Sequence, residues 1–293
     1  MNAKNDRRQI VAVASGKGGT GKTTLATNLA WVAAADHHDV WYLDCDVEEP
    51  NGHLFLKPQI ERSEPVTVAV PEVDVEKCTL CGKCGEICQY SAIVCVGQKV
   101  LTFHELCHSC GGCWLVCPEG AIREVAREVG VVEQGRSGAV HFVHGRLRIG
   151  EARATPAIRA VKQHVPEKGL AILDAPPGTS CPVIETIRGC DHVLLVTEPT
   201  PFGLHDLQLA VETVRALRLP MSVVINRSDV GDARVRNYCL DQGIEVLAEI
   251  PDDRRVAESY SRGQIAADGL PEYKDRFLEM HERLQSLVAS STR

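Results

Sequence analysis

A glycine-rich segment between an apolar run and a helix-like stretch limits the fold of this chain more than any other feature. Residues Ile10–Ala14 are apolar, and apolar residues recur at helical spacing over Lys22–Ala35. The segment between them fits the pattern G-x-x-x-x-G-K-[ST], with Gly16, Lys17, Gly18, Gly19, Thr20, Gly21, Lys22 and Thr23. A strand, a glycine loop and a helix in this order predict a phosphate-binding loop, because glycines let backbone N–H groups converge on phosphate oxygens.

Two side chains at the end of this loop have predicted chemistry of their own. Lys22 places a positive charge at the β and γ phosphates, and the Thr23 hydroxyl is suited to ligating Mg²⁺. The alternative is a glycine-rich turn without a ligand, which the flanking strand and helix make the weaker interpretation.

The rest of the chain alternates short apolar runs with helical segments. Further strands are predicted at Val40–Leu43, Leu170–Leu173, Val193–Thr197, Ser222–Ile225 and Glu245–Ile250. Helices are predicted near 204–218 and 233–242. This rhythm predicts an α/β fold with a mostly parallel sheet and helices on both faces.

The last predicted helix covers residues 271–290. Its apolar residues recur at helical spacing, so we expect it to pack on the sheet. The alternative is a membrane-targeting helix, which acidic residues facing anionic lipid would disfavour. These acidic residues are Glu272, Asp275, Glu279 and Glu282.

Composition narrows the cellular compartment and the classes of binding partner that we expect for this protein. The formal net charge of −7 and the 4% aromatic content argue against a nucleic-acid partner. The N-terminal apolar run, Ile10–Ala14, is too short for a signal sequence or a membrane span, so we expect a cytoplasmic protein without stable membrane insertion. Thirteen cysteines in a reducing compartment indicate metal binding rather than disulfides.

Eight of these cysteines form two runs with the same spacing, C-x2-C-x2-C-x3-C. The first run has Cys78, Cys81, Cys84 and Cys88, and the second has Cys107, Cys110, Cys113 and Cys117. The runs lie 29 residues apart, and an Ala-Ile pair repeats at the same offset. We interpret the segment as an internal duplication with the spacing of bacterial ferredoxins.

In this spacing, the fourth cysteine of each run points to the cluster held by the other run. One [4Fe–4S] cluster is therefore predicted on Cys78, Cys81, Cys84 and Cys117, and the other on Cys88, Cys107, Cys110 and Cys113. A pair of zinc sites is the alternative, but zinc motifs typically separate two cysteine pairs by a longer gap. Gln89 stands where such a run usually has proline, which removes no ligand.

The remaining cysteines and several histidines are expected to have structural roles. Most of the other cysteines are predicted to be small buried residues; they are Cys45, Cys95, Cys181, Cys190 and Cys239. A role for Cys181 in bridging a cluster between subunits, which only the family resemblance given below implies, is the less favoured alternative. The histidines are expected to be solvated or packing residues, because the cysteines complete both clusters; they are His37, His38, His104 and His108.

The loop sequence GKGGTGKTT, with its second lysine, resembles the deviant P-loop of the MinD superfamily. This family includes the septum-site and plasmid-partition ATPases, the nitrogenase iron protein and the Mrp-type cluster carriers. LDCDVEEPN (43–51) and LDAPPGTS (173–180) resemble the two switch segments of the family, and VVINRSD (223–229) and IPDD (250–253) resemble its base-recognition strands and loops. The resemblance implies a P-loop core of the SIMIBI class.

The resemblance also implies residue roles in an ATPase. Lys17 would act in trans across a nucleotide-sandwich homodimer, and Lys22 in cis. Asp46 would orient the attacking water, while Thr23, Asp44 and Asp174 would serve Mg²⁺. The implied nucleotide contacts are Thr24 at the α-phosphate and, near the base, Asn226, Pro251, Asp252 and Asp253.

The domain prediction follows from the position of the cysteine runs. Residues 1–70 and 131–293 are expected to form the discontinuous P-loop ATPase domain, with residues 71–130 as a small α+β ferredoxin-like insert between the two switches. We expect a slow, partner-stimulated ATPase whose dimer switch gates electron transfer to a partner protein. An assembly factor for metal or iron–sulfur proteins is the alternative, and a septum- or partition-type positioning ATPase is less favoured.

Overall fold

The structure is a computed structural model that describes residues 7–35 and 39–290. Its strands are β1 (Arg8–Ala14), β2 (Val40–Asp44), β3 (Gln59–Val73), β4 (Ile93–Val96), β5 (Lys99–Thr102), β6 (Ile122–Ser137), β7 (Val140–Leu147), β8 (Gly169–Asp174), β9 (His192–Thr197), β10 (Met221–Asn226) and β11 (Glu245–Ile250). Its helices are α1 (Lys22–Ala35), α2 (Gly52–Leu56), α3 (Lys83–Ile87), α4 (Gly112–Leu115), α5 (Thr155–Lys162), α6 (Cys181–Ile187), α7 (Pro201–Ala216), α8 (Arg234–Asp241), α9 (Arg254–Ser261), α10 (Ala266–Gly269) and α11 (Pro271–Ser290).

Nine of the described strands form one sheet in the order β11-β10-β9-β1-β8-β2-β7-β6-β3. The strands from β11 to β7 pair in parallel, while β6 and β3 are antiparallel additions at one edge. The predicted mostly parallel α/β sheet is therefore confirmed. Because β1, β2 and β8 are adjacent and parallel, the loops after them meet at the same edge of the sheet.

The two faces of the sheet carry separate hydrophobic cores. On one face, α5, α6, α7 and α8 pack over β1, β8 and β9, with Ile158, Ile187 and Val211 fully buried. On the other face, α1 and α11 pack over the same strands. Burial of each side chain of this size stabilises the folded state by about 1.5–3 kcal/mol, so the central strands form a rigid base for the loops.

The closing helix α11 belongs to the second core. Tyr273, Phe277, Leu284 and Val288 are at most 3% exposed and lie on the face that packs against α1. Core packing of this helix is therefore confirmed. Within residues 7–35 and 39–290, no helix is long and apolar enough to cross a membrane.

A long antiparallel ribbon, which sequence reasoning did not predict, joins the sheet to the cysteine segment. Strands β3 and β6 pair from Gln59 opposite Arg136 to Val73 opposite Ile122. Residues 74–121 connect the far ends of these strands and contain α3, α4 and the β4–β5 hairpin. The predicted boundaries at 70/71 and 130/131 both fall inside this ribbon.

Candidate nucleotide and cluster sites

The glycine loop after β1 has the backbone shape that a phosphate cradle requires. Gly19 and Gly21 adopt positive φ angles of 78° and 89°, which favour glycine. The Asn226 side-chain amide donates to the Thr20 carbonyl at 2.9 Å, and a Cβ at position 21 would meet Asn226 Nδ2 at 2.5 Å. Asn226 thus holds the loop against the end of β10, a contact that the sequence prediction of a base-reading role did not include.

Helix α1 begins at Lys22, directly after the loop. Its first backbone N–H groups have no helical partner, so they are available to an anion in this position. Lys22 is 7% exposed and Thr23 is 9% exposed, and the Thr20 hydroxyl is buried without a hydrogen-bond partner. These features fit a bound phosphate, because a buried ammonium group and an unpaired hydroxyl are costly without a ligand.

Three carboxylates lie at or just after the ends of β2 and β8, and two of them, Asp46 and Asp174, interact with Lys22. Asp44 and Asp174 are opposite each other in register, both are fully buried, and burial raises the pKa of both. Burial also raises the pKa of Asp46 to about 6, opposed by the charge of Lys22 and supported by that of Asp174. Such a concentration of negative charge is stabilised by a cation.

The two buried carboxylates have different hydrogen-bond partners. The Asp44 carboxylate accepts hydrogen bonds from the backbone N–H groups of Asp46, Asn51 and Gly52, at 2.9–3.2 Å. It therefore fixes the shape of the loop after β2. Asp174 Oδ2 accepts from the Tyr42 hydroxyl at 2.8 Å, while its Oδ1 is buried without a partner. This free oxygen fits Mg²⁺ or a water bound to it.

Lys17 lies at the other side of the loop, in an ion-pair network that the sequence did not reveal. Its Nζ is 3.2 Å from Glu198 Oε2, and Arg227 Nη1 is 3.0 Å from Glu198 Oε1. Arg227 also lies near Asp252, at 3.4 Å. Glu198 directly follows β9. Its position, as an acidic residue directly after an apolar strand, was the only sequence signal for a role of Glu198 in the site.

A cleft of about 320 Å³ opens beside the glycine loop. Gly21, Thr24 and Asn226 line one side, and aromatic side chains of α9 and α11, including Tyr260 and Tyr273, line the other. Pro251, Asp252 and Asp253 also line this cleft. Asp253 is the N-cap of α9 and accepts from the Arg255 N–H at 2.8 Å, so its carboxylate is already engaged.

Each of two cavities is lined by cysteines of both runs. Across the described chain, no group of three Cys, His, Asp or Glu side chains converges on a single metal-ion position. Instead, thiols line two separate cavities. The first is lined by Cys78, Cys81, Cys84 and Cys117, and the second by Cys88, Cys107, Cys110 and Cys113.

The backbone repeats with the same 29-residue offset as the cysteines. Gly82 and Gly111 both have φ 81°, at the N-caps of α3 and α4. The Ala92 N–H donates to Cys88 Sγ at 3.3 Å, and the Ala121 N–H donates to Cys117 Sγ at 3.3 Å. Thiolates that accept backbone hydrogen bonds around a small cavity are suited to an iron–sulfur cluster, whose potential depends on such bonds.

Three of the other five cysteines are buried, as expected; they are Cys45, Cys190 and Cys239. Cys181 is exposed, and Cys95 lines the first cysteine cavity. His104 bonds the Pro71 carbonyl oxygen at 2.9 Å, and His108 stacks on Tyr90 at 3.6 Å between ring centroids. His37 and His38 lie outside the described residues.

The sequence matches the CobQ/CobB/MinD/ParA nucleotide-binding domain over residues 11–266. The chain belongs to this family. Its fold is similar to that of the septum site-determining protein MinD from Pyrococcus horikoshii, solved with Mg-ADP, with a TM-score of 0.62 and 18% identity over 97% of this chain and 98% of that one.

Two curated relatives extend the comparison beyond the fold. The uncharacterized protein MJ0579 of Methanocaldococcus jannaschii is 29% identical, and the match covers 87% of this chain and 90% of the relative. An iron–sulfur cluster carrier protein of Aquifex aeolicus is 25% identical over 97% of this chain and 69% of its own length.

Proposed function

We propose that this protein is an ATPase that couples a nucleotide-dependent dimer switch to electron transfer through two [4Fe–4S] clusters. The observation that carries the proposal is the sorting of the two cysteine runs into two cavities, each lined by four cysteines of the runs, on a family P-loop fold. Clusters of this type supply one-electron transfer, typically at low potential.

The nucleotide half of the proposal rests on the loop and the carboxylates. The loop backbone and Lys22 bind the phosphates, Thr23 and the free oxygen of Asp174 serve Mg²⁺, and Asp46 orients water. Lys17 completes the site of a second copy in the closed dimer. Asp44 contributes by fixing the loop that carries Asp46, through three backbone hydrogen bonds.

A backbone hydrogen bond, a strand pairing and the length of β6 connect this loop with the cysteine segment. Val47 follows Asp46, and its carbonyl accepts from the Leu147 N–H at 3.0 Å, at the end of β7. Leu147 lies opposite Gly130 on β6, and β6 runs back to Ile122, which lines the first cysteine cavity. Eight residues of strand span roughly 27 Å. A shift of the loop on nucleotide binding is thus transmitted along β6 to the cluster region.

Electron release in the two nucleotide states tests the redox function. Anaerobically prepared protein is reduced, freed of reductant and mixed with oxidised cytochrome c in the presence of Mg-ATP or Mg-ADP. We expect the cytochrome to be reduced at different rates in the two mixtures, and the difference to vanish in Lys22→Ala. Equal rates with both nucleotides in the wild-type protein would contradict gating by ATP.

Cluster assembly is a second candidate function, favoured by relatives named iron–sulfur cluster carriers. In that case the clusters are cargo and leave the protein. Incubation of the loaded protein with an apo-ferredoxin and a chelator in solution separates the two functions. A redox protein keeps its iron while electrons pass, whereas an assembly factor loses iron to the apo-ferredoxin when Mg-ATP is added.

A further inference from the structure

The first cysteine cavity has five thiols, one more than a [4Fe–4S] cluster needs. Cys95 lines it together with Cys78, Cys81, Cys84 and Cys117. Cys95 Sγ lies 4.0 Å from Cys84 Sγ. The two spacing motifs do not include Cys95, and the function proposed above gives it no role.

The position of Cys95 is set by secondary structure rather than by a loose loop. It lies in β4, opposite Val100 of β5, and the hairpin packs on α3, which carries Cys84. A Cβ at Gly85 would meet the Cys95 backbone nitrogen at 3.5 Å, so helix and strand approach closely at this point. Ile93, two residues earlier in β4, is 1% exposed and anchors the hairpin in the small core of the segment.

The duplication gives an internal comparison. With the 29-residue offset, the position equivalent to Cys95 in the second copy is Glu124, which is exposed and lies in β6 opposite Pro71. The residues described around the second cavity include four cysteines, all of them in the spacing motifs. A thiol beside the third cysteine of the run is therefore a feature of the first cavity.

We propose that Cys95 is an alternate thiolate ligand for the iron that Cys84 holds in the first cavity. This inference rests on the proposed clusters. In the exchange, the Cys95 thiol releases its proton as its sulfur bonds to iron, the bond from Cys84 sulfur to the same iron breaks, and Cys84 takes up the proton. No electron is transferred, and the number of thiolate ligands stays at four. Because the Cys84 and Cys95 sulfurs are in contact, a small side-chain rotation lets one thiol replace the other.

Iron and sulfide content of anaerobically purified variants tests the inference. Wild-type protein and Cys95→Ala should each carry about eight irons per chain, as two [4Fe–4S] clusters require. Cys84→Ala should also keep about eight, because Cys95 replaces the missing ligand, and its reduced form should show a shifted electron paramagnetic resonance spectrum. The double variant Cys84→Ala/Cys95→Ala should lose iron from the first cavity.

Cys113→Ala is the matched control, since Cys113 is the equivalent cysteine of the second copy and no fifth thiol lines its cavity among the described residues. Cys113→Ala should lose iron from the second cavity, whereas Cys84→Ala should keep its iron. Retained Mg-ATP binding and an unchanged second-cavity signal show that the double variant is folded. Equal iron loss in Cys84→Ala and in the double variant overturns the role of Cys95. A wild-type protein without iron overturns the proposed function instead.

Discussion

Lys17 Nζ lies 3.2 Å from Glu198 Oε2, so within a single chain the second lysine of the glycine loop is paired with an acid of its own subunit. Glu198 is held in turn by Arg227. A lysine that acts across a dimer has to leave this partner. If Lys17 acts in trans as proposed, the pair therefore competes with dimer closure.

Glu198→Gln should favour the closed dimer. A partly exposed ion pair is worth about 0.2–1 kcal/mol, so its loss should lower the concentration of a non-hydrolysable ATP analogue needed for half-maximal dimerisation by up to about fivefold. Analytical ultracentrifugation measures this shift. Arg227→Gln is the control, because it removes the other partner of Glu198 and leaves the pair with Lys17 intact. An unchanged midpoint in Glu198→Gln would show that the pair does not compete with closure.

The two lysines of the loop should have separable effects. Lys22→Ala should weaken ATP binding by roughly ten- to a hundredfold, because a hydrogen bond from a charged group to phosphate is worth about 1.5–3 kcal/mol. Lys17→Ala should bind ATP normally and fail to dimerise or hydrolyse it. Calorimetry and sedimentation with an ATP analogue distinguish the two. Wild-type dimerisation of Lys17→Ala would rule out its role in trans.

Hydrolysis should depend on the ionisation of Asp46. Burial raises the pKa of Asp46 to about 6, so the carboxylate predominates above pH 6 and is protonated below it. If the carboxylate orients the water, kcat/KM for ATP should fall about tenfold for each pH unit below 6. Asp46→Asn should hydrolyse ATP about a hundredfold more slowly and lack this pH dependence. If Asp46→Asn hydrolysed ATP at the wild-type rate, or showed the same fall in kcat/KM below pH 6, another group would have to orient the water.

The crossed ligand sets predict which cysteines act together. Cys88→Ala and Cys110→Ala should remove the same spectroscopic signal, although the two residues belong to different runs. Cys81→Ala and Cys117→Ala should both remove the other signal. Mössbauer spectra of ⁵⁷Fe-labelled protein report the loss. If the signal that is lost depended only on the run to which the substituted cysteine belongs, the crossed ligand sets would be wrong. Stoichiometric zinc after anaerobic reconstitution would contradict the presence of iron–sulfur clusters.

The sequence predicted the elements whose pattern is local. Helix α1 begins and ends at the predicted residues Lys22 and Ala35, and β11 also matches its predicted range. Most residues of α1 are buried, and β11 buries Leu247 and Ile250, so the pattern of both elements is read directly from the chain. The ribbon was missed because β3 is an edge strand with alternating charges and with Pro65 and Pro71, and its stability comes from pairing with β6.

The residues of the candidate site also fall into two groups, those that a local pattern predicts and those that only the fold brings together. The glycine loop and the cysteine runs are contiguous motifs, so sequence spacing was enough to predict them. Glu198, Tyr42 and Cys95 reach their partners through the fold: Lys17 and Glu198 are on different strand–loop units, and Tyr42 meets Asp174 only because β2 and β8 are adjacent. No local pattern records such contacts.

The reduction potentials of the two clusters in different nucleotide states test the coupling of ATP to redox chemistry most directly. They are to be measured without nucleotide, with Mg-ADP and with a non-hydrolysable ATP analogue. A coupling of about 1.4 kcal/mol corresponds to about 60 mV for one electron, and linkage requires an equal, tenfold change in ATP affinity between oxidised and reduced protein. We predict a shift of this order with the ATP analogue, absent in Lys22→Ala. Identical potentials in all three states, with identical ATP affinity of both redox forms, would contradict thermodynamic coupling between the two sites.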